Sequence, residues 1–495
     1  MLLLIIFLLS LVATLSYKYL LKNEAFNPPP GPKKLPFIGN LHHLDLISPH
    51  ICLAKLAKTY GPVLSLQFGS IPVVVVQSAE LAKEVLQTQD LNFCTRPPMF
   101  GPRKLSYDGL DIAISPYNDY FREMKKLSVV HLLNTKRVQS FAPIRQQEIL
   151  RLLNKISSLS TIVNLNELVM SFSCSNICRM AFGNRYDEEE GQKSRFHSLL
   201  NEAQASFTAF YFSDYFPLIG WLDKLCGQYS RLERIFKDLD TFYEELINDH
   251  LDPNRTKLDQ EDFIDVLLHL QKQHCFTFDL SMNHIKALLM NIFIAGTDTS
   301  AATIVWGMTQ LIKNPHVMKK VQQEIRNETR SKDYVDEEDV QKLEYFKAVV
   351  KETFRLHPAS PLLVAHESIR KTKIKEYHIL PKTQVYVNVW AIGRDPKSWN
   401  DPETFKPERF IGSSVDVKGQ DFELLPFGAG RRICPGLQLG LSNVELTLAN
   451  LLNSFDWDLP SGIKRDDVDM ENLPGITMHK KNPLYLVAHK FPRTV

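Results

Sequence analysis

The residues best placed to do chemistry lie in Phe427-Gly-Ala-Gly-Arg-Arg-Ile-Cys-Pro-Gly436. One cysteine, Cys434, follows two glycines and two arginines and opens an apolar, helix-periodic run that ends near Phe455. Glycine lets the backbone turn tightly and lie close against a flat ligand. A sulfur at a helix start meets the positive end of the dipole and unpartnered backbone N–H groups, and both favour the thiolate. Arg432 adds a cation that can grip a ligand carboxylate. The alternative is an inert buried cysteine beside a glycine turn. The spacing of Phe427, Gly430, Arg432 and Gly436 around Cys434 argues against it.

Two other groups carry chemistry. Asp298 and Thr299 place an acid beside a hydroxyl in Ala295-Gly-Thr-Asp-Thr-Ser300. An exposed Asp and a Thr bonding back along its helix is the plain reading of such a pair. Here, however, the flanks are hydrophobic and Gly296 opens space. Glu352 and Arg355 stand three apart, so on a helix they share a face and can pair.

Helices must position most of these groups. One helix starts at Ser281, a suitable N-cap, and stops at Asn314-Pro315. About 30 residues at 1.5 Å each span ~45 Å, enough to cross a domain. Leu288 to Ala295 is apolar on nearly every side, so this helix is expected to be buried all round. Asp298 and Thr299 sit at its centre, among poor helix formers, a conflict typical of functional sites. Phe68 to Gln77 reads as a hairpin turning at Gly69, Ser70 and Pro72, and Ala79 to Gln87 as a helix. Gln384 to Val389 and Leu484 to Ala488 read as strands. The expected fold is mainly α with a minor β-sheet region.

The chain opens with an uncharged run from Leu2 to Tyr17 that reaches Leu21 if Lys18 snorkels, and roughly 20 apolar residues cross a bilayer. Lys22, Lys33 and Lys34 follow it, placing the remainder on the cytosolic side. A cleaved signal peptide is the rival, but no basic stretch precedes the run and no small-x-small site ends it. The Asn27-Pro-Pro-Pro-Gly-Pro stretch reads as a stiff extended spacer. The division expected is an anchor at 1–21, a proline-rich hinge at 22–40 and a catalytic domain at 41–495. Seven widely spaced cysteines do not suggest a disulfide framework, and Cys174 and Cys178 share a helix face. A net charge of +2 gives no reason to expect a nucleic-acid partner.

The Cys434 segment resembles the cysteine signature of the cytochrome P-450 superfamily, Phe-x-x-Gly-x-Arg-x-Cys-x-Gly, at every specified position. Glu352-Thr-Phe-Arg355, Pro407-Glu-Arg-Phe410 and Ala295 to Ser300 are similar to three further elements of that family. The anchor and hinge resemble its microsomal branch. Phe93-Cys-Thr-Arg-Pro97 and Asp214-Tyr-Phe-Pro217 look like its plant enzymes of specialised metabolism.

The resemblance implies a P-450 fold around haem b, with Cys434 as the axial iron ligand and Phe427, Gly430, Arg432 and Gly436 cradling the cofactor. It implies that Asp298 and Thr299 deliver protons during dioxygen activation, and that Glu352, Arg355 and Arg409 form a buried network supporting the cysteine loop. Arg122, Lys125 and His366 would face the haem propionates. Here the sequence departs from the family: Phe121 replaces a usual Trp, and Lys125 and His366 each replace an Arg, losing its bidentate fork. Substrate would meet Phe293, Ala295, Gly296, Leu362, Leu363 and Ile476, within the segments Met99–Leu105, Phe207–Phe216, Met290–Thr299, Pro361–Val364 and Gly475–Ile476. The implied activity is a monooxygenase inserting one atom of O2 into a small hydrophobic plant metabolite, at the cytosolic face of the endoplasmic reticulum. No Rossmann-type glycine fingerprint or flavin domain is legible. Electrons would therefore come from NADPH through a separate reductase, with cytochrome b5 as a second candidate partner. Lys125, Lys126, Lys136 and Arg137 are candidates for docking the reductase. A haem-thiolate isomerase or dehydratase, an aldoxime-converting enzyme and a non-catalytic haem protein are the rival readings.

Overall fold

The computed structural model describes residues 26–159, 162–185, 190–255, 260–274, 276–330 and 332–492, with side chains from 199 onward in the segment that starts at 190. The expected anchor at 1–21 lies outside the described residues. Helices dominate, as the periodicity predicts. Six of them frame the site: α1 (Asp119–Leu127), α2 (Leu165–Phe182), α3 (Glu190–Phe207), α4 (Met282–Lys313), α5 (Glu344–Leu356) and α6 (Leu437–Ser454).

The strands described are β1 (Val63–Phe68), β2 (Ile71–Val76), β3 (Val163–Asn164), β4 (His366–Glu367), β5 (Thr372–Ile374), β6 (Tyr377–Ile379), β7 (Gln384–Val387), β8 (Phe455–Asp458) and β9 (Tyr485–Lys490). The largest sheet has the order β1-β2-β7-β4. β1 and β2 pair antiparallel, Val63 opposite Val76, and β2 runs parallel to β7, Val73 opposite Gln384. β7 is shorter than its sequence suggests. It ends at Val387 because Asn388 turns the chain, its side-chain oxygen accepting from the Ala391 N–H at 3.1 Å. β9 pairs with β8, Trp457 opposite Ala488, and with β3.

α4 runs from its Ser281 cap to Asn314, as read from sequence. It passes through two cores. Ile285 to Ile294 pack with α2, whereas Ala301 to Ile312 pack with α5 and α6. Between them, Ala295 is exposed and Gly296 and Thr299 are half-buried, so the helix carries one accessible segment at mid-span. Among the described residues α4 is the one helix long and apolar enough to cross a membrane, but 72% of its apolar stretch is buried within the protein. It is a core helix.

Two local departures matter. The segment expected to be a single helix over Ala79 to Gln87 is α-helical only to Lys83 and then widens into π turns over Glu84–Thr88. Such widening often accompanies functional sites. The proline-rich segment is not a free spacer from Asn27 onward. Pro30 accepts the Ser65 N–H at 2.8 Å, Asn40 donates its N–H to Gln67 at 2.6 Å, and the Asn40 side chain bridges to Pro32 and Lys33. A β1 edge with unpaired backbone groups must satisfy them, and the extended proline chain does so.

Candidate functional site

Cys434 follows a 3-10 turn at Gly430–Arg432 and precedes α6, with Gly436 at its N-cap. The loop closes on itself through the Cys434 N–H donating to the Phe427 carbonyl at 3.0 Å. The Phe427 ring meets Phe354 of α5 edge-on at 5.4 Å, so the loop rests on that helix. Gly430 has φ +67, and a Cβ there would sit 1.9 Å from the Leu86 carbonyl oxygen. That carbonyl belongs to the π turns, which fixes why both features occur together. The Asp90 carboxylate takes the Arg431 N–H at 3.0 Å and its guanidinium at 2.9 Å.

The sulfur is accessible although protein surrounds it. Burial pushes its thiol pKa up, and the Gly436 N–H and the Lys125 charge oppose that only in part. A sulfur in this position ionises when a cation binds it.

Two guanidiniums lie beside the loop. Arg432 donates to the carbonyls of Cys94 at 2.7 Å, Ile112 at 3.3 Å and Ser115 at 2.5 Å. Its guanidinium carbon stands 3.7 Å from the centre of the Phe121 ring, so Phe121 forms a cation–π floor. Arg96 donates to Ala113 at 3.0 Å, Val364 at 2.6 Å and Ala365 at 2.8 Å. Among the described residues no carboxylate lies within ion-pair distance of either group. Burial brings Arg432 down to about 10, and burial with the Arg432 charge lowers Arg96 far below its usual range. Two adjacent buried cations held by carbonyls suit a ligand bearing two carboxylates. Haem propionates meet that description, and the sulfur with its glycine cradle suits the iron face. The residues present fit haem.

The other residues expected at the propionates are placed differently. Arg122 is exposed and paired with Asp119 on the surface of α1, because its position on the helix points away from the loop. His366 is buried and shares a hydrogen bond with the Phe93 carbonyl at 3.0 Å. Burial and the two arginines hold its pKa well below the usual value, so it is neutral and cannot serve as a cation. Lys125 is beside the cysteine loop, donating to the Arg431 carbonyl at 2.5 Å. Burial, then Arg432, brings it down to about 8. That leaves it no freedom to dock a partner. Arg137 faces Glu261 at 3.4 Å, whereas Lys126 and Lys136 are exposed. Sequence reasoning assigned no role to Arg96. Its signal was an arginine between an apolar helix and two prolines.

On α4 the Thr299 hydroxyl donates back to the Ala295 carbonyl at 2.7 Å. Asp298 is buried and paired with His479 Nε2 at 2.5 Å. Burial would raise its pKa, but the His479 hydrogen bond and charge, with Thr477 and Gln204 nearby, outweigh burial and hold it below the ordinary range. Phe293 is fully buried in the core against Phe182, so it is not a pocket wall. A Cβ at Gly296 would stand 2.8 Å from Ile177 Cδ1, so this glycine admits α2. Leu362 and Leu363 are half-buried, and Leu363 has φ +55, backbone strain of the kind functional sites retain. Ile476 lines a cleft beside Asp298.

Glu352 is fully buried and accepts four hydrogen bonds. Arg355 gives two, at 2.7 and 2.8 Å, Arg409 gives one at 3.0 Å, and the Lys406 N–H gives one at 2.7 Å. Arg355 spends its remaining N–H groups on the carbonyls of Gly393, Pro402 and Thr404. The network ties α5 to the chain that leads into the cysteine loop.

A mainly helical fold with one cysteine in a glycine loop beside two arginines that suit carboxylates, and a central helix carrying an acid and an alcohol, fits the haem-thiolate class. The chain belongs to the cytochrome P450 family, whose model matches residues 29–487. It is 48% identical to 6,7,8-trihydroxycoumarin synthase from Pastinaca sativa over 94% of this chain and 93% of the relative. It is 46% identical to strychnine-11-hydroxylase from Strychnos nux-vomica over 94% and 92%. A zebrafish cytochrome P450 structure matches the fold with a TM-score of 0.75 at 24% identity, covering 90% of this chain and 99% of that one. The protein is a haem-thiolate monooxygenase.

Proposed function

We propose that this monooxygenase inserts one atom of O2 into a small, hydrophobic plant specialised metabolite, and that the Cys434 sulfur would hold the haem iron when the cofactor is bound. The position of the Cys434 sulfur, accessible at the start of α6 inside a glycine cradle and beside two carboxylate-seeking arginines, carries the reading. When bound, haem supplies the dioxygen activation and the oxidation of substrate.

The chain's own residues divide the remaining work. Phe427, Gly430 and Gly436 shape the proximal cradle, and Arg432 with Arg96 neutralises the propionates. Asp298 and Thr299 move protons toward the oxygen being reduced. Ala295, Leu362 and Leu363 orient the substrate and exclude water, and Ile476 borders them where the cleft beside Asp298 begins. Two electrons per turnover come from NADPH through a separate membrane-bound reductase, for which Lys126 and Lys136 remain free surface charges. One relative is named for making 6,7,8-trihydroxycoumarin and another for hydroxylating strychnine, so molecules of that size are the first to test.

Leu2 to Leu21 anchors the protein in the endoplasmic reticulum membrane. An apolar corner supports this: Phe37 and Leu218 are 91% and 96% exposed. The turn between β1 and β2 joins their segments, with Gly69 donating to Ile38 and Ser70 to Tyr215.

The test is purified protein reduced under carbon monoxide, followed by a metabolite panel with reductase and NADPH read by mass spectrometry. A thiolate Soret band with oxygenated products supports the proposal. A Soret band of an imidazole-ligated haem in undamaged protein overturns it.

A further inference from the structure

A cleft of about 300 Å³ opens beside Asp298, between the ends of α2 and α3, the middle of α4 and the segment Leu473 to Lys480. Its wall is mainly apolar, with Met170, Val305 and Ile476, but Asn166, Asn201, Gln204, Thr477 and His479 set a polar strip into it. Asn201 is exposed, so the cleft reaches the surface. The side chain of His479 is 23% exposed and that of Asp298 is 4% exposed. One imidazole thus touches both the solvated cleft and the buried carboxylate, at 2.5 Å from Nε2 to Oδ1. The amide nitrogen of Gln204 is buried on the same wall without full hydrogen-bond geometry to any protein group. The other cation of the wall, Lys480, is committed to Asp469 at 2.7 Å.

We propose that His479 supplies protons from this cleft to Asp298, and so sets how oxygen reduction is partitioned. This rests on the haem-thiolate reading above and adds a residue to it. A carboxylate buried in α4 needs a counter-ion. An arginine or lysine would only hold it as a fixed anion, whereas an imidazole has two ring nitrogens that can each donate or accept a proton. Each substrate oxygenation consumes O2, two electrons and two protons and releases one water. In each transfer the Nε2–H proton of imidazolium passes to Asp298 Oδ1. Asp298 hands it on toward the Thr299 hydroxyl, and neutral His479 is reprotonated by water in the cleft. His479 does not touch the reacting atoms. It is a positioning residue that acts through Asp298.

The test needs no substrate. Haem-loaded protein with reductase and NADPH releases reduced oxygen either as superoxide, which takes one electron and no proton, or as hydrogen peroxide, which takes two of each. Spin trapping and peroxide determination give the ratio. In His479→Gln and in His479→Arg the peroxide-to-superoxide ratio is expected to fall about tenfold or more, in line with a lost proton-transfer step. Arginine keeps the ion pair but holds its proton, so an unchanged ratio in His479→Arg would show a mere counter-ion and overturn the proposal.

A second reading is independent of turnover. Without its cation, the buried Asp298 should hold its proton more tightly in His479→Gln, because burial then opposes ionisation with less against it. The infrared band of a carboxylic acid should then appear, and it should vanish when Asp298→Asn is added. Absence of that band also refutes the pairing. A wild-type protein lacking the thiolate signature under carbon monoxide defeats the haem-thiolate reading instead. With that signature intact, an unchanged ratio defeats this inference alone.

Discussion

Replacing Glu352 with alanine should leave a protein that cannot keep its haem. The side chain is fully buried, and its two oxygens accept four hydrogen bonds, three of them from guanidiniums. Among the described residues Glu352 is the one carboxylate paired with Arg355, whose side chain has no exposed surface, and truncation removes it. Arg355 keeps its three carbonyl partners, so it stays fixed and charged in place. Breaking a buried pair in this way costs about 3–5 kcal/mol, since one charge is left uncompensated. Each 1.4 kcal/mol is a factor of ten, so the folded-to-unfolded ratio falls roughly 100- to 4,000-fold, against a typical total of about 5–15 kcal/mol. Large haem proteins unfold irreversibly, so the useful measurement is a rate. The thiolate carbon-monoxide signal should be followed against time at several temperatures, with haem content per chain at the start. Glu352→Ala should show little haem and fast loss of signal. Removing the stranded charge as well, in Glu352→Ala/Arg355→Ala, should cost less than the two single changes added together. Wild-type haem retention in the single variant, or strict additivity in the double, would refute the argument.

Gly430→Ala should lose the thiolate signal, because its Cβ would meet the Leu86 carbonyl at 1.9 Å in addition to the strain at φ +67. Gly412→Ala has similar strain, at φ +69, with nothing within 4 Å, and should cost only about 1–2 kcal/mol in thermal inactivation. Arg96→Leu should release haem to apomyoglobin roughly 10- to 100-fold faster, the value of one lost charged hydrogen-bonding partner of about 1.5–3 kcal/mol. Glu445 on α6 has its pKa raised to about 7, chiefly by burial. The folded state therefore binds more protons than the unfolded chain between its ordinary value and 7, and stability falls as pH rises through that window. Glu445→Gln should accordingly slow thermal inactivation at pH 8 and leave it nearly unchanged at pH 4.

Much of the frame was legible because it is written locally. Ser281 and Asn314-Pro315 bound α4 within a residue, and the three-residue spacing of Glu352 and Arg355 sets their pairing. The glycines around Cys434 mark a loop by their conformations. What was not legible depends on contacts between distant parts of the chain. Arg96 and Arg432 meet only because Phe93 to Pro97 folds against both the cysteine loop and the segment before β4. His479 reaches Asp298 across 181 residues. Gly296 looked like room for a ligand, but the room is taken by Ile177. His366 looked like a cation replacing an arginine, yet burial, with the two arginines beside it, holds its pKa well below the usual value. In each case the residue type was visible and its neighbour was not.

The docking of the proline-rich segment along β1 has a mechanical consequence. Bonded down from Asn27 onward, the chain leaves five residues between Leu21 and the globule, at most roughly 20 Å of reach. With Leu2 to Leu21 in the bilayer, as proposed, so short a leash allows little tumbling. The enzyme would ride at a set tilt, and whatever enters or leaves near Phe37 and Leu218 would be drawn from the lipid rather than from the cytosol.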